Sequence, residues 1–193
     1  MYEKVDGQTA LSPDDLVDLI PTHITTRGEL NEAEQQNILA AESWIFSAGN
    51  RRADILTFTF FQRMHRRMFG QVWRWAGRPR RRITNLGVEP AMIAARTAEL
   101  CETVRYWQDN KVFPLDEIAV RLHHGAVSIH PFPNGNGRFT RYLTDLFLWR
   151  GGASGFSWGA RSLAPETARD AYLSALRAAD GHDIEPLLDF VRR

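Results

Sequence analysis

The chain has 193 residues, 44% of them hydrophobic, and a formal net charge of +1. That is enough apolar material for one sizeable core, and the near-neutral balance argues against a strongly basic nucleic-acid binder or an acidic tail protein. A single cysteine, Cys101, excludes an internal disulfide and a cysteine-rich zinc site, which fits a reducing compartment such as the cytoplasm.

The opening MYEKVDGQTALSPDDL has no secretory pattern, and no uncharged run approaches the ~20 apolar residues of a membrane span. A soluble cytoplasmic protein is expected. Residues 1–12 read as an extended arm and 13–193 as one domain. Ser12, Pro13, Asp14 and Asp15 have the form of a helix start, with a cap, Pro at the first helical position and acids in the first turn. Pro21 interrupts that helix. Thr25 or Thr26 with Glu29 resembles a cap before LNEAEQQNILAAESWIFSAG, where Leu30, Ile38, Ala41 and Ile45 recur near helical period. Gly49 and Asn50 close the segment. In TFTFFQRMHRRMFGQVWRWAG (57–77), Phe60, Phe61, Met64, Met68 and Phe69 share one helical side and Gly70 breaks it. GRPRRRITNLGVEP (77–90) has two Gly, two Pro and a β-prone Ile-Thr, so it reads as a loop or small hairpin. Helical patterns return from Ala91 to Trp107, in LDEIAVRLHHGAVSIH (115–130), in FTRYLTDLFLWRG (139–151), in 162–180 and in the last ten residues. The expected fold class is all-α, a helical bundle with one small β-hairpin.

Between two of these helices lies HPFPNGNGRFTR (130–141). Gly135 and Gly137 allow backbone conformations closed to other residues. Free N–H groups there, at the N-terminus of the following helix, make a concave anion site. Arg138 and Arg141 are three apart and project on one side of the first turn, which suits a di- or triphosphate. His130 ends the preceding helix and has the chemistry of a base toward what approaches the phosphates. Phe132 is expected to turn inward and pin the loop. A Gly-rich helix–helix turn with solvated arginines and a structural histidine is the alternative.

These residues resemble the signature of Fic-domain proteins, His-x-Phe-x-acid-Gly-Asn-Gly-Arg-x-x-Arg, at every position but one. MHRRMFGQVWRWAG and RPRRRITNLGV are similar to the helix and flap that precede that signature. TTRGELNEAEQQNI, VWRWAG and SIHPFPNGNGR most resemble the subgroup called mobile mystery protein B. The resemblance implies transfer of AMP from ATP to a hydroxyl side chain of a protein. It implies that His130 is the base and that Asn136 helps hold the α-phosphate. It further implies that the Gly135 and Gly137 amides form the anion hole and that Arg138 and Arg141 bind the outer phosphates. The flap, Ile83, Thr84, Asn85, Leu86, Gly87 and Val88, would hold the target by strand-like pairing. In the related Doc toxins a Lys stands where Gly137 does and phosphate is transferred, so Gly137 favours AMP transfer. The departure is Asn134, which replaces the acid that binds Mg²⁺ in the family. A neutral amide oxygen is a weaker ligand for that cation. A non-catalytic nucleotide-binding module, phosphotransfer and removal of AMP are therefore alternatives.

Other candidates have plainer explanations. His123 and His124 are adjacent, so they point to different sides, and no matching metal ligands accompany them. His65 reads as structural or surface. The arginines of 78–82 read as a solvated or target-facing rim, and Trp73 and Trp75 as core anchors beside the flap. Many Fic proteins carry an inhibitory Ser/Thr-x-x-x-Glu-Gly/Asn helix whose Glu pairs with the second signature Arg. Glu29 and, more weakly, Glu166 match part of that pattern. The resemblance equally suggests an inhibitor on a separate chain, a small helix-turn-helix partner as in toxin–antitoxin modules.

Overall fold

The computed structural model describes residues 17–24, 26–160 and 165–193, the side chains of 165 and 166 excepted. The expected arm, the helix start at Ser12 and the Ser162–Glu166 pattern lie outside the described residues. Thr26 starts the first helix, α1 (Arg27–Ile45): its side chain accepts the Glu29 N–H, and the Glu29 carboxylate accepts the Thr26 N–H at 2.8 Å. This reciprocal cap stabilises a helix start by about 1 kcal/mol. The buried stripe of α1 is Leu30, Glu34, Asn37, Ile38, Ala41 and Ile45.

Gly49 and Asn50 do not close α1. The helix ends at Phe46, and Ser47 caps a second, five-residue helix, α2 (Ala48–Arg52). The Asn50 amide supplies the reason, because it donates to the Trp44 and Ile45 carbonyls in the last turn of α1.

Thr57 caps α3 (Phe58–Phe69), which buries Phe60, Phe61, Met64, His65, Met68 and Phe69 before Gly70 ends it. A 3₁₀ turn at Pro90–Met92 leads into α4 (Ile93–Asp109), followed by α5 (Leu115–Ile129), α6 (Asn136–Arg150), α7 (Pro165–Asp180) and α8 (Glu185–Arg192). Helix α5 is central, packed on α4, α6 and α8, while α3 packs on α1 and α6. The main core runs from α1 through α3 to α6. Phe139 on α6 is fully buried and meets Phe61 and Phe132 edge to face. Truncating it to Ala costs roughly 3–5 kcal/mol. A second apolar cluster, with Val120 of α5 at its boundary, joins Tyr172, Leu187, Phe190 and Val191 of the last two helices.

The fold is all-α, as the periodicity indicates. The small hairpin is not formed: residues 83–88 are a bent loop. Among the described residues the one isolated bridge joins Leu19 to Trp73. The Val88 carbonyl at the loop's end is taken by the Arg80 guanidinium instead of a partner strand. Among the described residues no helix is long and apolar enough to cross a membrane.

Candidate active site

The loop between α5 and α6 is set by three contacts. Phe132 has no exposed surface and stacks on the His65 ring at 3.8 Å, so it pins the loop as the sequence suggests. The Asn136 amide closes back on the same residue: Oδ1 accepts the Phe132 N–H at 2.9 Å and Nδ2 donates to the Phe132 carbonyl at 2.8 Å. With both ends of its amide engaged on Phe132, the buried Asn136 side chain shapes the loop. Gly135 enters α6 at φ 76°, and a Cβ there would stand 2.6 Å from the Phe69 ring. Only glycine fits that seat. Gly137, by contrast, has open space where a Cβ would be. The result is an uncapped N-terminus of a 15-residue helix with room in front of it, the geometry of an anion site.

His65 supports the loop from below. It is fully buried, accepts the Gly77 N–H at Nδ1 and faces the Asn134 carbonyl through Nε2 at 3.0 Å. That pairing requires the Nε2–H tautomer. Burial pushes its pKa down to about 3.

His130 is the C-cap of α5, in the left-handed region at φ 52°, and is 7% exposed. For a non-glycine residue that conformation costs about 1 kcal/mol or more. Burial, with the nearby Arg80 charge, lowers its pKa to about 4, while a hydrogen bond to the Val127 backbone acts the other way. The imidazole is therefore neutral near neutral pH, and a neutral ring keeps one nitrogen as an acceptor, the state a base needs. The flap crosses His130 directly. At Gly87, φ 99°, a Cβ would stand 2.6 Å from the His130 Cβ. Ile83 and Leu86 are exposed apolar side chains on the same loop.

The two signature arginines differ in surroundings. Arg138 meets the Glu34 carboxylate at 2.6 Å and lies over the Phe69 ring at 4.9 Å. Glu34 is nearly buried and also accepts from Trp73 Nε1 at 2.6 Å. Arg141 lies against the Tyr172 and Trp158 rings, at 4.7 and 5.7 Å, and its Nε is buried with no partner. A buried charged donor left this way is costly unless an acceptor arrives.

The site offers little to a cation. The Asn134 Oδ1, the expected Mg²⁺ ligand, accepts the N–H of Gly135 at 2.6 Å. Among the described residues no group of three or more His, Cys, Asp or Glu stands ready for a metal. The residues present do not make a cage for Mg²⁺. His123 bonds the Tyr172 hydroxyl and His124 the Asp180 carboxylate, on different sides of α5.

Glu29 has the capping role already described and is exposed. The acid that reaches a signature arginine is Glu34. Its signal was visible: a charged residue sits on the apolar stripe of α1, where only a paired carboxylate belongs. Arg80, read from the sequence with its neighbours as part of a solvated or target-facing rim, is instead buried. It is 4% exposed, and its guanidinium donates to the carbonyls of His130, Ile129, Val88 and Arg82. No local pattern marks such an arginine among its exposed neighbours. Trp73 and Trp75 are buried and stacked at 4.9 Å.

Residues 55–148 match the Fic/DOC family. The chain is 30% identical over 133 residues to the protein adenylyltransferase Fic of Drosophila mojavensis, covering 66% of this chain and 25% of that one. It thus spans about a quarter of the length of the curated relatives of that name. Among solved structures, Fic-1 of C. elegans superposes with a TM-score of 0.67 at 24% identity, over 90% of this chain and 52% of that one. The BepC effector of Bartonella tribocorum with bound AMPPNP superposes with a TM-score of 0.67 at 16% identity, over 88% and 87%.

Proposed function

The chain belongs to the Fic/DOC family through residues 55–148, and from that premise we propose that it transfers AMP from ATP to a hydroxyl side chain of a protein. One observation carries the reading. A neutral histidine, His130, ends one helix beside an uncapped helix N-terminus with open space at Gly137. In this scheme the target hydroxyl oxygen attacks the α-phosphorus and its proton passes to His130. The bond from that phosphorus to the β-phosphate oxygen breaks and pyrophosphate leaves. The N-terminal amides of α6 stabilise the charge developing on the phosphoryl oxygens. Arg138 and Arg141 hold the outer phosphates, and Arg141 already has a donor without an acceptor. Asn136 keeps the cradle's shape. The flap, with Ile83 and Leu86 outward, seats the target segment. The names of the fly and worm relatives and the nucleotide in the BepC structure support the same reading.

The chain acts, on this account, as one domain over 13–193 in the cytoplasm. Its partners are a protein substrate and a small helix-turn-helix inhibitor. Incubating the chain with ATP and Mg²⁺ and weighing it intact tests the proposal, because self-modification needs no known target. The mass increment of AMP is expected. A phosphate increment would indicate phosphotransfer, and no increment with ATP still bound would favour a non-catalytic nucleotide module.

That last reading draws on Asn134, whose oxygen is turned to Gly135. Asn134→Asp separates the two. If the amide merely weakens metal use, Asp lowers the Mg²⁺ concentration for half-maximal transfer. If Asn134 is adapted to hold the loop near a phosphate, Asp reduces nucleotide binding by charge repulsion.

A further inference from the structure

The run RPRRR (78–82) looks like a solvated basic patch, and three of its four arginines are exposed. Arg80 is not. Its Nε donates to the His130 carbonyl at 2.7 Å, Nη1 to the Arg82 carbonyl at 3.0 Å, and Nη2 to the carbonyls of Val88 and, at 3.4 Å, Ile129. One of these acceptors, Val88, ends the flap, Arg82 immediately precedes it, and two lie at the end of α5. The backbone adds two crossings: Arg80 N donates to Pro131 at 2.9 Å and Val88 N to Ile129 at 3.3 Å. Gly87 lies so close that a Cβ would meet Arg80 Nη2, the His130 Cβ and the Ile129 carbonyl within 2.9 Å.

We propose that Arg80 is a positioning residue whose guanidinium fork binds the flap to the last turn of α5, so that the target seat and His130 move as one unit. The inference rests on the reading of His130 as base and 83–88 as target seat. The chemistry requires arginine. Only its planar fork offers five donors at fixed angles, enough for carbonyls on two segments, whereas a lysine ammonium offers three rotating ones. The carbonyls at the C-terminal end of α5 favour a cation, and a buried charge there is tolerated because its N–H groups donate to four carbonyls. The loop needs no strand ladder, since the fork replaces it. The same charge reaches His130, where it adds to burial in keeping the imidazole neutral.

Two variants of the full chain test this, Arg80→Lys and Arg80→Met, read by amide hydrogen exchange and by NMR titration of the His130 ring. Exchange at the Val88 amide, which donates to Ile129, is expected to rise at least about tenfold in both, the factor carried by a single net hydrogen bond, with the amides of α3 and α6 unchanged. The His130 pKa, about 4 in the parent, is expected to rise toward the ordinary histidine value in Arg80→Met and to stay low in Arg80→Lys, which keeps the charge. Unchanged exchange at the Val88 amide, or exchange rising equally through α3 and α6, overturns the proposal. The second result would make Arg80 a general stability residue. ATP-dependent self-modification of the parent chain, and its loss in His130→Ala, is followed separately. If that activity is absent, the reading of the site fails, and the exchange and titration data still decide whether Arg80 couples the two segments.

Discussion

At the residue scale the account turns on His130 and Arg138. With its pKa lowered to about 4 by burial and Arg80, His130 is neutral throughout the neutral range. The rate of self-modification is therefore expected to lose its base below about pH 4–5 and to show no histidine limb near 6.5. A limb near 6.5 in the initial rates would contradict the buried, neutral base. Arg138 is held by Glu34 at 2.6 Å, so its charge is already answered before any nucleotide arrives. Glu34→Gln keeps an acceptor for Trp73 Nε1 and releases Arg138. ATP is expected to bind roughly three- to tenfold more tightly, the scale of one charge-assisted bond, with AMP unchanged because it lacks the outer phosphates. Calorimetry showing weaker ATP binding would mean that Glu34 presents Arg138 to the nucleotide. The sequence made the arginines, the glycines and His130 legible through one dense motif. It did not reveal Glu34 as their partner, because that pair joins distant segments and no spacing rule connects them. Glu29, singled out by a short pattern, caps α1.

At the scale of elements the flap is the instructive case. ITNLGV carries β-prone residues but is short, and among the described residues no second strand pairs with it. Strand propensity reports how a residue suits a pleated, half-buried surface, and here the surface is absent. What holds the loop is a side chain from outside it, which leaves no periodicity to read. Gly87 is the tightest point. Gly87→Ala would place a methyl 2.6 Å from both Arg80 and the His130 Cβ, at φ 99°. We expect it to lower transfer to protein while ATP affinity holds, with a stability loss of about 1–3 kcal/mol from backbone strain. Retained transfer, measured beside the melting temperature, would show that the flap does not seat the target. The second helix shows the opposite difficulty. Gly49 and Asn50 look like a terminator, yet Ser47 restarts the helix and Asn50 caps the one before. Side-chain caps decide such ends, and their geometry is settled only when the chain is folded.

For the whole molecule the helices were legible because their apolar faces repeat near 3.6 residues and pack on a core centred on α3, α5 and α6. The same core carries three neutral histidines, His65 and His123 lowered to about 3 and His130 to about 4 by burial. Unfolding returns each to an ordinary value near 6.5, so the unfolded chain binds more protons once the pH falls below that. Stability is thus full above about pH 7 and is lost progressively as the pH falls toward the folded values. Between pH 7 and 5.5 the loss from three such groups is on the order of 4 kcal/mol, and a denaturant series across that range checks it. A flat stability curve would mean that the rings are solvated. The central claim concerns what the cradle beside His130 does, and intact mass spectrometry after incubation with ATP and Mg²⁺, run on the parent chain and on His130→Ala with ATP binding followed by calorimetry, tests it most directly. The expected result is an AMP adduct on the parent, a rate roughly 10²–10⁴-fold lower in His130→Ala, and ATP affinity retained by both. Adduct formation at the parent rate in His130→Ala, or no adduct on the parent while ATP binds, would contradict it.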